Sequence, residues 1–188
     1  WRFWRFWSKR SKYRPEILED DLEKLRDNYR NEGFLDARIE ESSVKVNPIG
    51  KSSIELIIGV EEYSETSKAS YANLDAKYFY DYAIKAFGAK KQNIKLLINE
   101  EANRVNTIKA LKKWLKSKVR FNQTDLIIFF AGHGMASSDG KELYLLPQDG
   151  DPDLLADTAL SRTALFKTII DLKPKSVTMF FDTCYSGM

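Results

Sequence analysis

Short apolar runs separated by helical stretches constrain this chain more than any other feature. "IELIIGV", "IKLLIN", "DLIIFFA" and "SVTMFF" are each too short for a core helix and are nearly unbroken by polar residues, which reads as strands covered on both faces. Between them lie "SYANLDAKYFYDYAIKAFG", a helix with a glycine stop, and "ANRVNTIKALKKWLKSKV", an amphipathic helix holding Trp114. "SRTALFKTIIDL" supplies a further helix, with Ser161 or Thr158 as its cap. Strands alternating with helices predict an α/β fold, a mostly parallel sheet with helices on both faces. Asp139-Gly140, between two short segments, is a hairpin signal, and the acidic loop "QDGDPD" follows it.

Open α/β sheets keep their chemistry in the crevice outside the carboxyl ends of their strands. Two of the runs end there in unusual residues, "AGHG" and "DTCYSG". If these strands are neighbours, His133 and Cys184 emerge together, and the imidazole can take the thiol proton and leave a nucleophilic thiolate. Gly134 lets the backbone approach closely, so its N–H and that of Cys184 are candidate donors to a developing oxyanion. Acyl transfer is the reaction this pairing suits. Taken singly, a lone cysteine reads as a small buried hydrophobe and a lone histidine as a satisfied structural residue. Here both follow long apolar runs, both are flanked by small residues, and the chain has no other Cys or His.

That scarcity also bounds other functions. One cysteine excludes an internal disulfide and a cysteine-rich zinc site. Net charge is only +3, although residues 1–15 hold six Lys/Arg and no acid, so nucleic acid is not an expected partner. The basic face of "IKALKKWLKSKVR" reads as a solvated face. No stretch approaches the ~20 apolar residues of a transmembrane helix. The opening "WRFWRFW" is either a membrane-interface or partner-docking segment or a terminal element that packs its aromatics on a neighbour. From Pro15 a helix with Ile17, Leu18, Leu22, Leu25 and Tyr29 on one face runs to Gly33. Alternation on either side of Asn47-Pro48-Ile49-Gly50 then reads as a β-hairpin.

"DLIIFFAGHG" followed by "FFDTCYSG" resembles the caspase-like cysteine peptidases, more closely their bacterial and metacaspase-type branch than animal caspases, whose Gln-Ala-Cys motif is absent. The resemblance runs from about Ile54 to the end. It implies an endopeptidase acting on a protein or peptide substrate, with Cys184 as nucleophile, His133 as general base and acid, and Gly134 with Cys184 as oxyanion donors. The acid two residues before the nucleophile lines the first specificity pocket in metacaspase-like members. Here that acid is Asp182, which would favour Arg or Lys at the cleaved position; the alternative is that Asp182 caps a turn. No cofactor is implied, except that some members need calcium, for which Asp149, Asp151 and Asp153 are weak candidates. A solvated acidic turn is the competing reading of that loop. Family members continue past the nucleophile, so the expected sheet lacks its C-terminal strands, its last strand is an apolar edge, and activity of this chain alone is a separate matter.

"YRPEILEDDLEKLRDNYRNEGFLDARI", with the hairpin ending "SIELIIGVEE", resembles part of a POTRA domain, the periplasmic module of outer-membrane β-barrel assembly factors. It implies a small α+β segment over residues 1–53 that binds partner proteins by adding a strand to a sheet edge. The expected division is thus 1–53 and a caspase-like domain over 54–188, with the strand at 54–62 claimed by both and assigned to the α/β sheet. The competing function is a non-catalytic binding module in outer-membrane protein assembly. The resemblances point to different compartments, the cytoplasm for the caspase-like part and the periplasm or outer membrane for the other.

Overall fold

The computed structural model describes residues 53–183, the backbone of 185 and 186, and residues 20, 23, 24, 26, 27, 30 and 31. The chain divides into two compact units, Trp1–Asn47 and Pro48–Met188. In the first, every described residue is helical, within the helix expected from Pro15 to Gly33. The aromatic opening and the hairpin turn at 47–50 lie outside the described residues.

The second unit is built on one parallel sheet of four strands in the order β2-β1-β3-β7: β1 (Ile54–Gly59), β2 (Ile94–Ile98), β3 (Asp125–Ala131) and β7 (Ser176–Asp182). All six residues of β1 are buried, as a strand covered on both faces requires. With β2 on one edge and β3 on the other, β1 has no edge left for a third strand.

The pleat sends alternate residues to opposite layers. Leu56, Ile58, Ile128 and Phe130 face a layer made by α2 (Arg104–Lys109), the π-helical turn Ala110–Trp114, α3 (Leu115–Lys118) and α5 (Arg162–Asp171). Ile57, Ile127 and Phe129 face α1 (Ala72–Lys85), which buries Ala72, Ala76, Phe79 and Ala83 at spacings of four, three and four. Each fully buried Leu or Ile contributes roughly 1.5–3 kcal/mol, so this three-layer core dominates stability. Ser161 caps α5 by accepting from Ala164 N–H, while the Thr158 hydroxyl is turned to Asp151 and Leu154.

A second, smaller sheet stands at the carboxyl end of the first, in the order β6-β5-β4-β8: β4 (Gly134–Ala136), β5 (Leu143–Leu145), β6 (Leu160–Ser161) and β8 (Tyr185–Ser186). β4 and β5 form the expected hairpin around Asp139-Gly140, with Gly140 at positive φ. The four-residue helix α4 (Leu155–Thr158) links this hairpin to β6. Among the described residues β7 pairs only with β3, and its Val177 and Phe180 are exposed.

Candidate active site

β3 and β7 leave the large sheet side by side. Ala131 is in register with Asp182, and Gly132 N–H donates to the Asp182 carbonyl at 3.1 Å. Two residues on, the chains pair again, Gly134 with Tyr185 and Met135 with Ser186. The segment carrying His133 is therefore fastened, before and after it, to the segment whose sequence carries Cys184. Cys184 itself lies outside the described residues; its neighbours Thr183 and Tyr185 lie within them. Glycine is required at 132, where φ is +151° and a Cβ would stand 2.5 Å from the Tyr63 hydroxyl and 3.2 Å from the Val60 carbonyl.

His133 is half-buried and held at four points. Its N–H donates to the Tyr63 hydroxyl at 2.7 Å, its carbonyl accepts from Leu146 N–H at 3.0 Å, and its ring lies 4.8 Å from that of Tyr63. Its Nε2 is 2.8 Å from the Ser67 carbonyl. A carbonyl oxygen only accepts, so Nε2 carries the hydrogen and Nδ1 of the neutral ring is left with the free lone pair. Burial pushes the Tyr63 phenol well above its ordinary range, against the lowering effect of the His133 N–H, which keeps it neutral.

The loop supplying Tyr63 and Ser67 is itself pinned. Asn99 Oδ1 accepts from Glu61 N–H at 2.9 Å and Glu62 N–H at 3.3 Å, and Gln148 bonds Ser64 through backbone and side chain. Gly134 is buried and opens β4.

Asp182 ends β7, exposed. Its charge reaches Asp75 in the first turn of α1, whose carboxyl is held above the usual carboxylate range by burial first and by Asp182 second. Asp182 and Asp75 thus share a field at the carboxyl end of β7. Sequence reasoning singled out Asp182 and passed over Asp75, because an acid in a first helical turn reads as a complement to the helix dipole. It did not single out Tyr63 or Ser67, because the hydroxyl of one and the backbone carbonyl of the other meet His133 from 70 and 66 residues away in sequence, with no local pattern to link them.

The acidic loop is occupied by backbone. Asp149 Oδ1 accepts from Arg104 N–H at 2.7 Å at the start of α2, and Asp151 Oδ1 accepts from Asp153 N–H at 2.8 Å. Among the described residues no group of three or more His, Cys, Asp or Glu side chains is placed to hold a metal ion. No described helix is long and apolar enough to cross a membrane.

Comparison with known proteins matches the chain to a family. Residues 53–188 match the model of the caspase domain, peptidase C14, and residues 7–63 that of POTRA, the surface antigen variable number repeat. The two matches overlap on β1. Among solved structures, protein GSU0716 from Geobacter sulfurreducens superposes with a TM-score of 0.56 at 18% identity over 73% of this chain, a likeness of fold. The chain spans 52% of that protein's length. No curated protein matches it significantly.

Proposed function

The chain belongs to the caspase domain family, and from that premise we propose that it is the histidine- and cysteine-bearing part of a cysteine endopeptidase that cleaves after Arg or Lys. The observation that carries the reading is the 2.8 Å contact between His133 Nε2 and the Ser67 carbonyl. With Nε2–H donated to the Ser67 carbonyl, Nδ1 is the nitrogen available to a thiol. On this reading Nδ1 takes the proton of Cys184, and the thiolate sulfur attacks the substrate carbonyl carbon, placing negative charge on its oxygen. The N–H groups of Gly134 and Cys184 receive that oxyanion. The imidazolium, steadied by the Ser67 carbonyl, returns the proton to the leaving amine as the peptide C–N bond breaks. Water, deprotonated by the same nitrogen, then hydrolyses the thioester and frees the sulfur.

Specificity follows from charge. Asp182 with Asp75 presents two carboxylates, and the like-charge cost that Asp182 imposes on Asp75 is relieved by a guanidinium or ammonium. Residues 1–53 form a separate POTRA-like part on this reading, with a protein partner as its ligand, as the family match at 7–63 supports.

The test uses the single cysteine. Alkylation of Cys184 by iodoacetamide across pH reads its thiolate directly, whether or not the substrate cleft is whole. Paired with His133, the thiol reacts at a pH well below that of an ordinary cysteine, and His133→Ala returns it to the ordinary range. An unchanged profile in His133→Ala refutes the dyad. Turnover of fluorogenic peptides ending in Arg, Lys or Asp, with and without calcium, then tests substrate choice. Activity on Arg and Lys, abolished in Cys184→Ala, is the expected result; preference for Asp would overturn the role given to Asp182.

A further inference from the structure

On the sheet face away from α1, between the helical layer and the strands, lies a cavity of about 310 Å³. Protein interiors hold few voids larger than a water molecule, and this one reaches the size at which ligand pockets begin. Leu56, Ile58, Ile128 and Phe130, all buried, form its floor. Leu111 and Leu165 wall it from the two helical segments. Of its lining residues Arg104, Lys112, Ala156 and Ala164 are exposed, and the mouth is taken to lie among them.

Two features distinguish it from loose packing. The first is the π-helical turn Ala110–Trp114, in which Leu115 N–H reaches back to the Ala110 carbonyl. An inserted residue of this kind re-aims the side chains of one turn, and here Leu111 and Lys112 of that turn both line the cavity. The second is charge. Arg104 and Lys112 are the only charged lining residues, no acid lines the space, and among the described residues neither cation is paired with a carboxylate.

We propose that this cavity binds a small amphipathic monoanion, an apolar body seated on Leu56, Ile58, Leu111 and Phe130 with a carboxylate held at the mouth by Arg104 and Lys112. The apolar floor supplies affinity through buried surface, and the two cations select the head group, Arg104 by its planar fork and Lys112 as a point charge. None of Tyr63, Asp75, His133 and Asp182 lines the cavity, so its ligand does not displace a peptide from them. Such a ligand would bridge the π turn to α5 and act on the peptidase fold from a distance.

Calorimetric titration of the chain with sodium octanoate tests this, with octan-1-ol and octylammonium as matched neutral and cationic probes. Saturable octanoate binding is expected, with octanol weaker and octylammonium excluded. The double variant Arg104→Gln/Lys112→Gln, both exposed and harmless to packing, should bind octanoate about tenfold or more weaker, the scale for losing charge-assisted hydrogen bonds, while its octanol affinity stays put. Ala164→Phe, which fills the opening, should lose both. Absence of saturable octanoate binding, equal binding of octylammonium, or octanoate affinity unchanged in the double variant each overturns the proposal, and the last needs no change in the core.

Discussion

The two ends of β1 send side chains to the same face of the sheet and are built on opposite principles. At the carboxyl end, Gly59 has no side chain because the first turn of α1 sits on it; an added Cβ would collide with the Ala76 methyl and stand 2.7 Å from the Ala72 carbonyl. At the amino end, four residues earlier, Glu55 is fully buried, with Ser53 donating to Oε1 at 3.3 Å and Oε2 unpartnered among the described residues. Contact is tight where the strand leads to the candidate site, and a buried carboxylate is tolerated where it does not. On the proposed mechanism the tightly packed end is the one that leads toward Asp75, Tyr63 and His133, where a preorganised site is required.

Gly59→Ala attacks that contrast hardest. Helix α1 must shift because backbone, not a flexible side-chain end, is in the way, and a loss of about 3 kcal/mol is expected in urea denaturation. Asp75 rides on the displaced turn, so selectivity for Arg over neutral substrates should fall as well. A variant as stable as the parent would show that α1 is not pressed against the strand.

Glu55 sharpens the other end. Burial raises its carboxyl from the ordinary 4.5 to about 7, against the lowering effect of Ser53. Between those values the unfolded chain has released the proton that the folded chain still holds, so native stability falls as pH rises from about 4.5 to about 7 and is level above, a change of order 3 kcal/mol. Glu55→Gln carries no such proton and should flatten the slope, gaining most over the parent above pH 7. The same slope in the variant would mean that another group causes it.

Tyr63→Phe comes next. It leaves the His133 N–H without its acceptor in a half-buried place, at a cost of about 1–2 kcal/mol, and loosens the ring that serves the thiol in the proposed mechanism. Thermal denaturation reads the first effect. The alkylation profile of Cys184 reads the second, since a slackened imidazole lowers the thiolate fraction at neutral pH.

How far the sequence disclosed this contrast varies with the element. "DLIIFFA" and "IELIIGV" were legible as strands because burial on both faces leaves an unbroken apolar run, and that is the pattern the parallel sheet imposes. Asp139-Gly140 was legible as a hairpin because positive φ at Gly140 has a chemical signature. The small sheet was not, since its strands are only two or three residues long and have no measurable period. Nor was the π turn, because "ALKKW" keeps helical spacing and only the backbone shows the extra residue. At the site, His133 and Asp182 stand at strand ends where sequence reasoning looks. Tyr63 and Ser67 sit in a loop placed by Asn99, 38 and 37 residues from the Glu61 and Glu62 it holds, and by Gln148, 84 residues from Ser64, partners that no local pattern links. Whether the cap of α5 was Ser161 or Thr158 stayed open for the same reason: both hydroxyls suit a cap, and a tertiary contact to Asp151 decides.

The smallest effect separates the two raised carboxyls. Glu55 is raised by burial alone, whereas Asp75 is raised by burial first and by the charge of Asp182 second. Asp182→Asn should therefore lower the Asp75 carboxyl part of the way toward its ordinary range and leave Glu55 untouched, as followed by carboxyl-carbon NMR titration. A full return would mean that burial is not the larger cause; no movement would mean that the two acids do not share a field. Agmatine, a guanidinium without a peptide, extends the same titration. If the pair forms a cation pocket, agmatine lowers Asp75 in the parent, does so less in Asp182→Asn, and has no effect on Glu55 at the far end of the strand. Equal shifts at Asp75 and Glu55 would reduce the ligand to a bulk ionic effect and remove the electrostatic ground for Arg or Lys selection.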